Sequence, residues 1–207
     1  MKNKKILVTG SSGFIGSHVA DVLEEQGYNV VLFDEINSKY KSNSQEEIIG
    51  DILNPEDIEN AIEGCDVVYH FAAQADIKSS SDDPTKTIQN NIIGTQNILE
   101  LARKNNVNRI MFASTIYVYS DLGSFYRVSK QACEKIIEEY QKEFGLDYTI
   151  LRFGSLYGPR ANDFNAIRSF LIHAIKEKKI IRRGDGEELR EYIHVKDAAR
   201  LSIAALD

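Results

Sequence analysis

Tyr126 and Lys130 stand four residues apart, so on a helix they share one face. A free tyrosine has a pKa of about 10 and is a poor base at neutral pH. An ammonium beside it favours the phenolate, and a second cation adds to the effect. Bringing that pKa to about 7 needs roughly 4 kcal/mol of differential stabilisation, within reach of two close cations in a dry site. The pair could then take a proton from a hydroxyl group, given a donor to hold the reacting oxygen. Ser114 and Thr115 offer such hydroxyls at the end of a predicted strand, the edge where ligands sit in parallel sheets. The spacing alone fits a surface pair equally well. Its place after Ser114-Thr115 and before an amphipathic helix favours catalysis.

A second group of residues could hold phosphate. Gly10, Gly13 and Gly16 lie between a predicted strand and a predicted helix. The first glycine permits the tight turn, the second lets backbone N–H groups approach a pyrophosphate, and the third lets the helix pack on the strand. Ser12, Phe14 and Ile15 complete this turn. Asp34 ends the next strand, eighteen positions after Gly16. A carboxylate there accepts hydrogen bonds from ribose hydroxyls and repels an additional phosphate, which selects NAD over NADP. Asp51 and Ile52, after the third strand, are placed to hold an adenine edge. Phe71, Ala72 and Ala73 end the fourth strand with small residues that let a cofactor lie close, although tight packing alone would also explain them.

The elements that must position these groups alternate. Strands are expected at Ile6–Val8, Val30–Phe33, Ile48–Ile49, Val67–Phe71, Arg109–Ala113 and Tyr148–Leu151. Helical patterns run from Phe14 to a stop at Gly27, from the capping run Asn54-Pro55, from Asp83-Pro84 to about Asn105, and over Ser129–Phe144 to a stop at Gly145. Ser79–Asp83 reads as a mobile loop. Strand–helix alternation implies an α/β fold, a doubly wound parallel sheet of the Rossmann type. After Gly158-Pro159 the pattern changes: a helix near Ala166–Glu177, Ile180–Arg182, a turn at Gly184–Gly186, the run Leu189–Val195, and an apolar helix to Asp207. Residues 1–158 are therefore expected to form the NAD-binding domain, and 159–207 a short, incomplete substrate lobe.

Composition narrows the classes. The formal net charge of -6 argues against a nucleic-acid partner. Lys176–Lys179 and Arg182-Arg183 read as solvated faces. Cys65 and Cys133 sit in dissimilar contexts, pointing to a reducing compartment; Cys133 reads as a small buried helix residue. No apolar run approaches membrane-spanning length. The apolar run behind Met1–Lys5 is too short for a signal core, so a cytoplasmic location is expected. The four histidines, His18, His70, His173 and His194, lack metal-ligand spacing, so no metal is expected.

These segments together resemble the extended short-chain dehydrogenase/reductase family, in its NAD-dependent epimerase/dehydratase group. The matching pieces are Val8–Gly16, His70–Gln74, Asn91–Thr95, Ala113–Thr115 with Val118-Tyr119, Tyr126–Lys130, Leu151–Arg160 and Gly184–Val195, in family order. The resemblance implies that Tyr126 takes a proton from a sugar hydroxyl while the carbon gives hydride to NAD. It implies that Lys130 holds the nicotinamide ribose and that Thr115, with Ser114 beside it, binds the sugar oxygen. Asn91 falls near the nicotinamide, and Arg190 where the diphosphate of a nucleotide sugar is held, with UDP-sugars the expected class. It also implies a homodimer formed by pairing the helices Ile88–Ala102 and Ala132–Tyr140.

Three departures stand out. Ile116-Tyr117 replace the acidic pair that follows the threonine in dehydratases, which argues against water elimination. The stretch between Tyr119 and Tyr126 is shortened. Ser155 replaces the usual asparagine at a substrate-binding position, and the substrate lobe is cut short. The expected activity is thus a UDP-sugar 4-epimerase. The alternatives are a keto-sugar reductase or dehydrogenase using the same pair, or an NAD-binding protein without turnover. The Asp34 argument predicts that equilibrium titration finds NAD bound more tightly than NADP; the reverse order would refute it.

Overall fold

The computed structural model describes residues 4–181, 185–187 and 189–206. Six strands form one all-parallel sheet: β1 (Lys5–Thr9), β2 (Asn29–Asp34), β3 (Glu46–Ile49), β4 (Val67–His70), β5 (Arg109–Thr115) and β6 (Asp147–Phe153). Their spatial order is β3-β2-β1-β4-β5-β6, the doubly wound arrangement expected from the alternation. The order reverses between β1 and β4, which pair in parallel with Thr9 opposite His70.

Both faces of the sheet are covered, so its central strands are apolar on both sides. Leu7, Val31, Val68, Ile110 and Phe112 point to one core. That core is closed by α2 (Pro55–Ile62), α5 (Gly94–Lys104) and α6 (Ser124–Phe144). Ile6, Val8, Leu32, Val67, Tyr69 and Met111 point to the other. There they meet α1 (Phe14–Glu25) and α8 (Val195–Ala204), which pack on each other. Asn54 caps α2 by accepting from Glu56 N–H, with Pro55 in the first turn, and Gly145 ends α6 in the left-handed conformation, both as the sequence predicts.

Two stretches differ from expectation. The predicted helix from Asp83 to Asn105 is broken into α4 (Pro84–Ile88), a π-helical turn at Gln89–Ile93 and α5. The Ser79–Asp83 run is not a loop: it belongs largely to α3 (Ile77–Asp82), because Asp76 accepts from the Ser79 N–H and hydroxyl and starts a helix there. In addition α6 begins at Ser124, five residues earlier than its apolar periodicity suggests.

Beyond β6, β7 (Ser155–Tyr157) leaves the main sheet and pairs with β8 (Tyr192–His194), with α7 (Ala166–Glu177) between them. Residues 180 and 181 lie in no element. Arg182, Arg183, Gly184, Glu188 and Asp207, which carried parts of the predicted strand, turn, basic cluster and last helix, lie outside the described residues.

The turn from β1 to α1 is the most crowded point. A Cβ on Gly16 would lie 2.2 Å from the Gly10 carbonyl oxygen, and one on Gly10, at φ +69°, would lie 2.6 Å from Ala72 N. Gly16→Ala must therefore push backbone against backbone. It is expected to destabilise the fold by at least about 3 kcal/mol, at the upper end of overpacking costs, in thermal or urea melts without cofactor. A near-neutral effect would contradict this packing.

Candidate active site

The residues singled out in the sequence converge at the carboxyl ends of β1, β4 and β5. Gly13 opens α1 in an extended conformation, with no side chain capping the first turn and no acid in it. Its N–H groups and helix dipole are left for an anion. Asp34 reaches back into the same turn, where its Oδ2 accepts from Ser12 N–H at 2.9 Å. Ser12 also donates its hydroxyl to Ile36 O at 2.9 Å. Phe14 and Ile15 are half-buried in the first turn.

The other predicted cofactor contacts divide. Phe71 N–H donates to Thr9 O, and Ala72 N–H to Thr9 Oγ1, holding the end of β4 and the half-buried Ala73 beside the glycine turn. Asp51 Oδ1 already accepts from Leu53 N–H. The Ile52 side chain is packed against Gly94, where an added Cβ would lie 2.4 Å from Ile52 Cδ1. What Ile52 can offer a ligand is its backbone. The Asn91 side chain, expected near the nicotinamide, is spent within the protein. Its Oδ1 accepts from Gln74 N–H at 2.7 Å, and its Nδ2 donates to Gln74 O and to Ser129 Oγ at 3.1 and 2.8 Å. Asn91 thus clamps the loop after β4 to α6, from within the π-turn.

Behind that clamp runs a buried polar chain that sequence reasoning did not find. Thr95 donates its hydroxyl to Asn91 O at 2.5 Å, so its oxygen accepts from His70 Nε2–H at 3.0 Å. His70 Nδ1 then accepts from the Thr9 hydroxyl at 2.7 Å. This pattern fixes the tautomer. Burial, with help from the Lys130 charge, pulls the His70 pKa down to about 3 and keeps the ring neutral.

Tyr126 and Lys130 fall on the first turns of α6 and come together with Thr115. Thr115 Oγ1 accepts from Tyr117 N–H, which leaves its proton to be offered toward Tyr126, whose pKa the Thr115 hydroxyl lowers. The Tyr126 ring keeps some surface, but burial pushes its pKa up to about 12, against the lowering influence of the Thr115 hydroxyl. Lys130 is 3% exposed. Its Nζ lies 4.6 Å from the Phe112 ring centroid and 6.0 Å from that of Tyr126. Burial pulls its pKa down to about 8. Among the described residues it makes no ion pair or hydrogen bond; aromatic faces are its partners. A buried ammonium without an acceptor fits a ligand bearing hydroxyl oxygens, such as a ribose. Together with the uncapped start of α1 and the Asp34 carboxylate, these residues fit a dinucleotide.

Ser114, expected beside Thr115 in the reaction, is committed elsewhere. It donates its hydroxyl to the buried Glu134 Oε1 at 2.5 Å. Arg152 grips the same carboxylate through Nε and Nη2 at 3.0 and 2.8 Å. Burial works to raise the Glu134 pKa, but Arg152 and Ser114 outweigh it and hold it below the usual range. Ser155 sits half-buried in β7, its N–H donating to Glu191 O. Arg190 donates from Nη1 to Tyr117 Oη at 3.0 Å. Tyr117 and Glu134 are the two site residues missed in the sequence. Tyr117 follows Thr115 by two positions, a signal that was available; Glu134 is reached only through tertiary contact. No group of three metal-ligating side chains occurs among the described residues.

Residues 6–207 match the model of the NAD dependent epimerase/dehydratase family. The chain is 32% identical to the UDP-N-acetyl-alpha-D-glucosaminuronate decarboxylase of Bacillus cytotoxicus, over 99% of this chain and 71% of that protein. It is 31% identical to the UDP-glucuronate 4-epimerase of Thermodesulfobacterium geofontis, over 97% and 71%. The crystal structure of UDP-glucose 4-epimerase with UDP-glucose from Thermotoga maritima superposes with a TM-score of 0.92 at 30% identity, covering 98% of this chain and 73% of that one. The chain belongs to the NAD dependent epimerase/dehydratase family.

Proposed function

We propose that the chain is an NAD-dependent UDP-sugar 4-epimerase, with Tyr126 as the acid–base residue. The observation that carries this is the buried Lys130 ammonium, without an acceptor among the described residues, 6.0 Å from the Tyr126 ring centroid. NAD, when bound, supplies a hydride acceptor and returns the hydride, so a sugar carbon is oxidised and reduced without net redox change. Tyr126 takes the proton of the sugar hydroxyl and gives it back after the ring has turned. Lys130 is placed to hold the nicotinamide ribose, and its charge favours the Tyr126 phenolate. Thr115 donates to the reacting oxygens. Gly10 to Gly16 and Asp34 hold the pyrophosphate and the adenosine ribose, and Arg190 and Ser155 belong to the sugar-nucleotide side.

Epimerisation is preferred to water elimination because no carboxylate follows Thr115. Ile116 and Tyr117 stand there, and Glu134 is tied to Ser114 and Arg152. Residues 1–158 carry the cofactor side in this proposal, and 159–207 part of the substrate side, with α8 lending its apolar face to the former. The proposal extends to a homodimer through Ile88–Ala102 and Ala132–Tyr140; Ile88 and Ile93, on the first stretch, are exposed. No described helix is long and apolar enough to cross a membrane.

Two outcomes are expected. NAD-supplemented protein should interconvert UDP-glucose and UDP-galactose by NMR with no growth of absorbance at 340 nm, and Tyr126→Phe should cut kcat by about 100-fold or more. Failure on a UDP-sugar panel, or stoichiometric reduced cofactor, would overturn the reading. The second outcome concerns Lys130. Its pKa is about 8 folded against about 10.4 in an unfolded chain, so its buried charge costs stability at neutral pH, on the order of 3 kcal/mol. The unfolded state binds the extra proton between these values, so this cost fades as pH rises from about 8 to about 10.5. Lys130→Met should therefore melt higher than wild type without cofactor at pH 7, with the gap closing at alkaline pH. Equal melting temperatures at pH 7 would count against an unpaired cation.

A further inference from the structure

We propose that Arg152 is a positioning residue: together with Ser114 it holds the Glu134 carboxylate away from Lys130, and so keeps that ammonium open for the nicotinamide ribose. The inference rests on the reading above that Lys130 meets this ribose. It goes beyond that reading by naming what keeps Lys130 unpaired.

Lys130 and Glu134 are four residues apart on α6, a spacing that brings two side chains together on one helix face. Both are buried, at 3% and 6% exposure. Opposite charges attract more strongly in such a site than at the surface. Exposed lysines of the same helix do pair with nearby acids: Lys135 with Glu138 at 2.8 Å, and Lys142 with Glu139 at 2.5 Å. Lys130 forms no such pair among the described residues, although the Glu134 charge reaches it. Its other titratable neighbours carry no charge that could hold it. His70 on β4 is kept neutral, burial pushes the Tyr126 phenol up, and the Cys133 thiol donates to Asn91 O at 3.1 Å. Glu134 is the acid placed to capture Lys130.

The sheet prevents that capture. Ser114 on β5 and Arg152 on β6 are register partners, so their side chains leave the same face of the sheet side by side. Ser114 Oγ donates to Glu134 Oε1 at 2.5 Å. Arg152 Nε donates to the same oxygen at 3.0 Å, and Nη2 to Oε2 at 2.8 Å. Both carboxylate oxygens are engaged, and the two-pronged guanidinium fixes the plane of the group. Arg152 is itself held from outside: Nη1 donates to Tyr119 Oη at 2.5 Å, and its guanidinium carbon lies 5.0 Å from the Tyr119 ring centroid. Two residues before Ser114, Phe112 sets its ring 4.6 Å from Lys130 Nζ. The ammonium thus rests on an aromatic face while the carboxylate one turn away is tied to two strands.

Two measurements test this. The first is calorimetric titration with NAD. Arg152→Met releases Glu134 to pair with Lys130, and NAD binding should weaken about tenfold or more, the size of one hydrogen bond to a charged group. Adding Glu134→Gln to that variant should restore binding to near the wild-type value, because a neutral amide does not hold the ammonium. No loss, or a loss that Glu134→Gln leaves in place, overturns the proposal. The second measurement is thermal melting at pH 7 without NAD. Lys130→Met is expected to raise the melting temperature of the wild type; in the Arg152→Met background it should lower it, since it then strips Glu134 of its partner. The same gain in both backgrounds, which a purely structural Arg152 would give, refutes the proposal. Arg152→Lys keeps the charge and loses one prong, and takes the place of Arg152→Met if that variant does not fold. Weaker NAD binding that Glu134→Gln restores is again the expected result, and unchanged binding again refutes it. If Lys130→Met binds NAD as wild type does, the ribose reading of Lys130 fails and this proposal with it. The melting cycle contains no NAD, so it shows separately whether Arg152 keeps Glu134 from Lys130.

Discussion

Everything in this molecule is referenced to one crowded place, where the end of β1, the start of α1 and the end of β4 meet without room for a side chain. Gly10 lies against Phe71 and Ala72, and Gly16 against the Gly10 carbonyl. Once these backbones are in contact, Asp34 can reach Ser12 and Thr9 can hold Ala72. The same contact sets the reversal of strand order between β1 and β4, which opens the crevice. The glycines are thus as much a structural joint as a cradle for phosphate.

From that joint a line of buried hydrogen bonds leads to α6. Thr9, His70, Thr95 and the Asn91 carbonyl form one half, and the Asn91 amide, Ser129 and the Tyr126 carbonyl form the other. Each member is satisfied, which lets a polar chain stiffen a core without the penalty of an unmade bond. Lys130 is the deliberate exception. A cation kept from any acceptor costs stability, and that cost is the kind that functional sites carry.

Much of this was legible in the sequence because it is local. The glycine turn, the Asn54-Pro55 helix start, the Gly145 stop and the four-residue spacing of Tyr126 and Lys130 depend only on neighbours along the chain. The π-turn at Gln89–Ile93 did not show, since one extra residue in a helical turn leaves the polar–apolar pattern nearly intact while rotating Asn91 inward. The commitment of Ser114 to Glu134 did not show either. Two hydroxyls side by side on a strand end look alike, and strand alternation points them to opposite faces. Only packing tells which one meets Tyr126 and which one meets Glu134. Tyr117 was read for the acid it replaced rather than for the hydroxyl it brings.

The position of α8 has a consequence for how the chain is made. Val195, Ala199 and Ile203 lie in the same core as Ile6, Val8 and Leu32. Tyr69 donates to Ser202 O, and Arg109 to Leu206 O. One face of the six-stranded sheet is therefore roofed by a helix synthesised after all six of its strands. A ribosome that has released 158 residues has extruded all six strands of the sheet, but not the helix that covers one of its faces. Until that helix emerges, the nascent chain exposes part of an apolar sheet face to water and to chaperones, and the core behind the sheet is completed only when α8 docks.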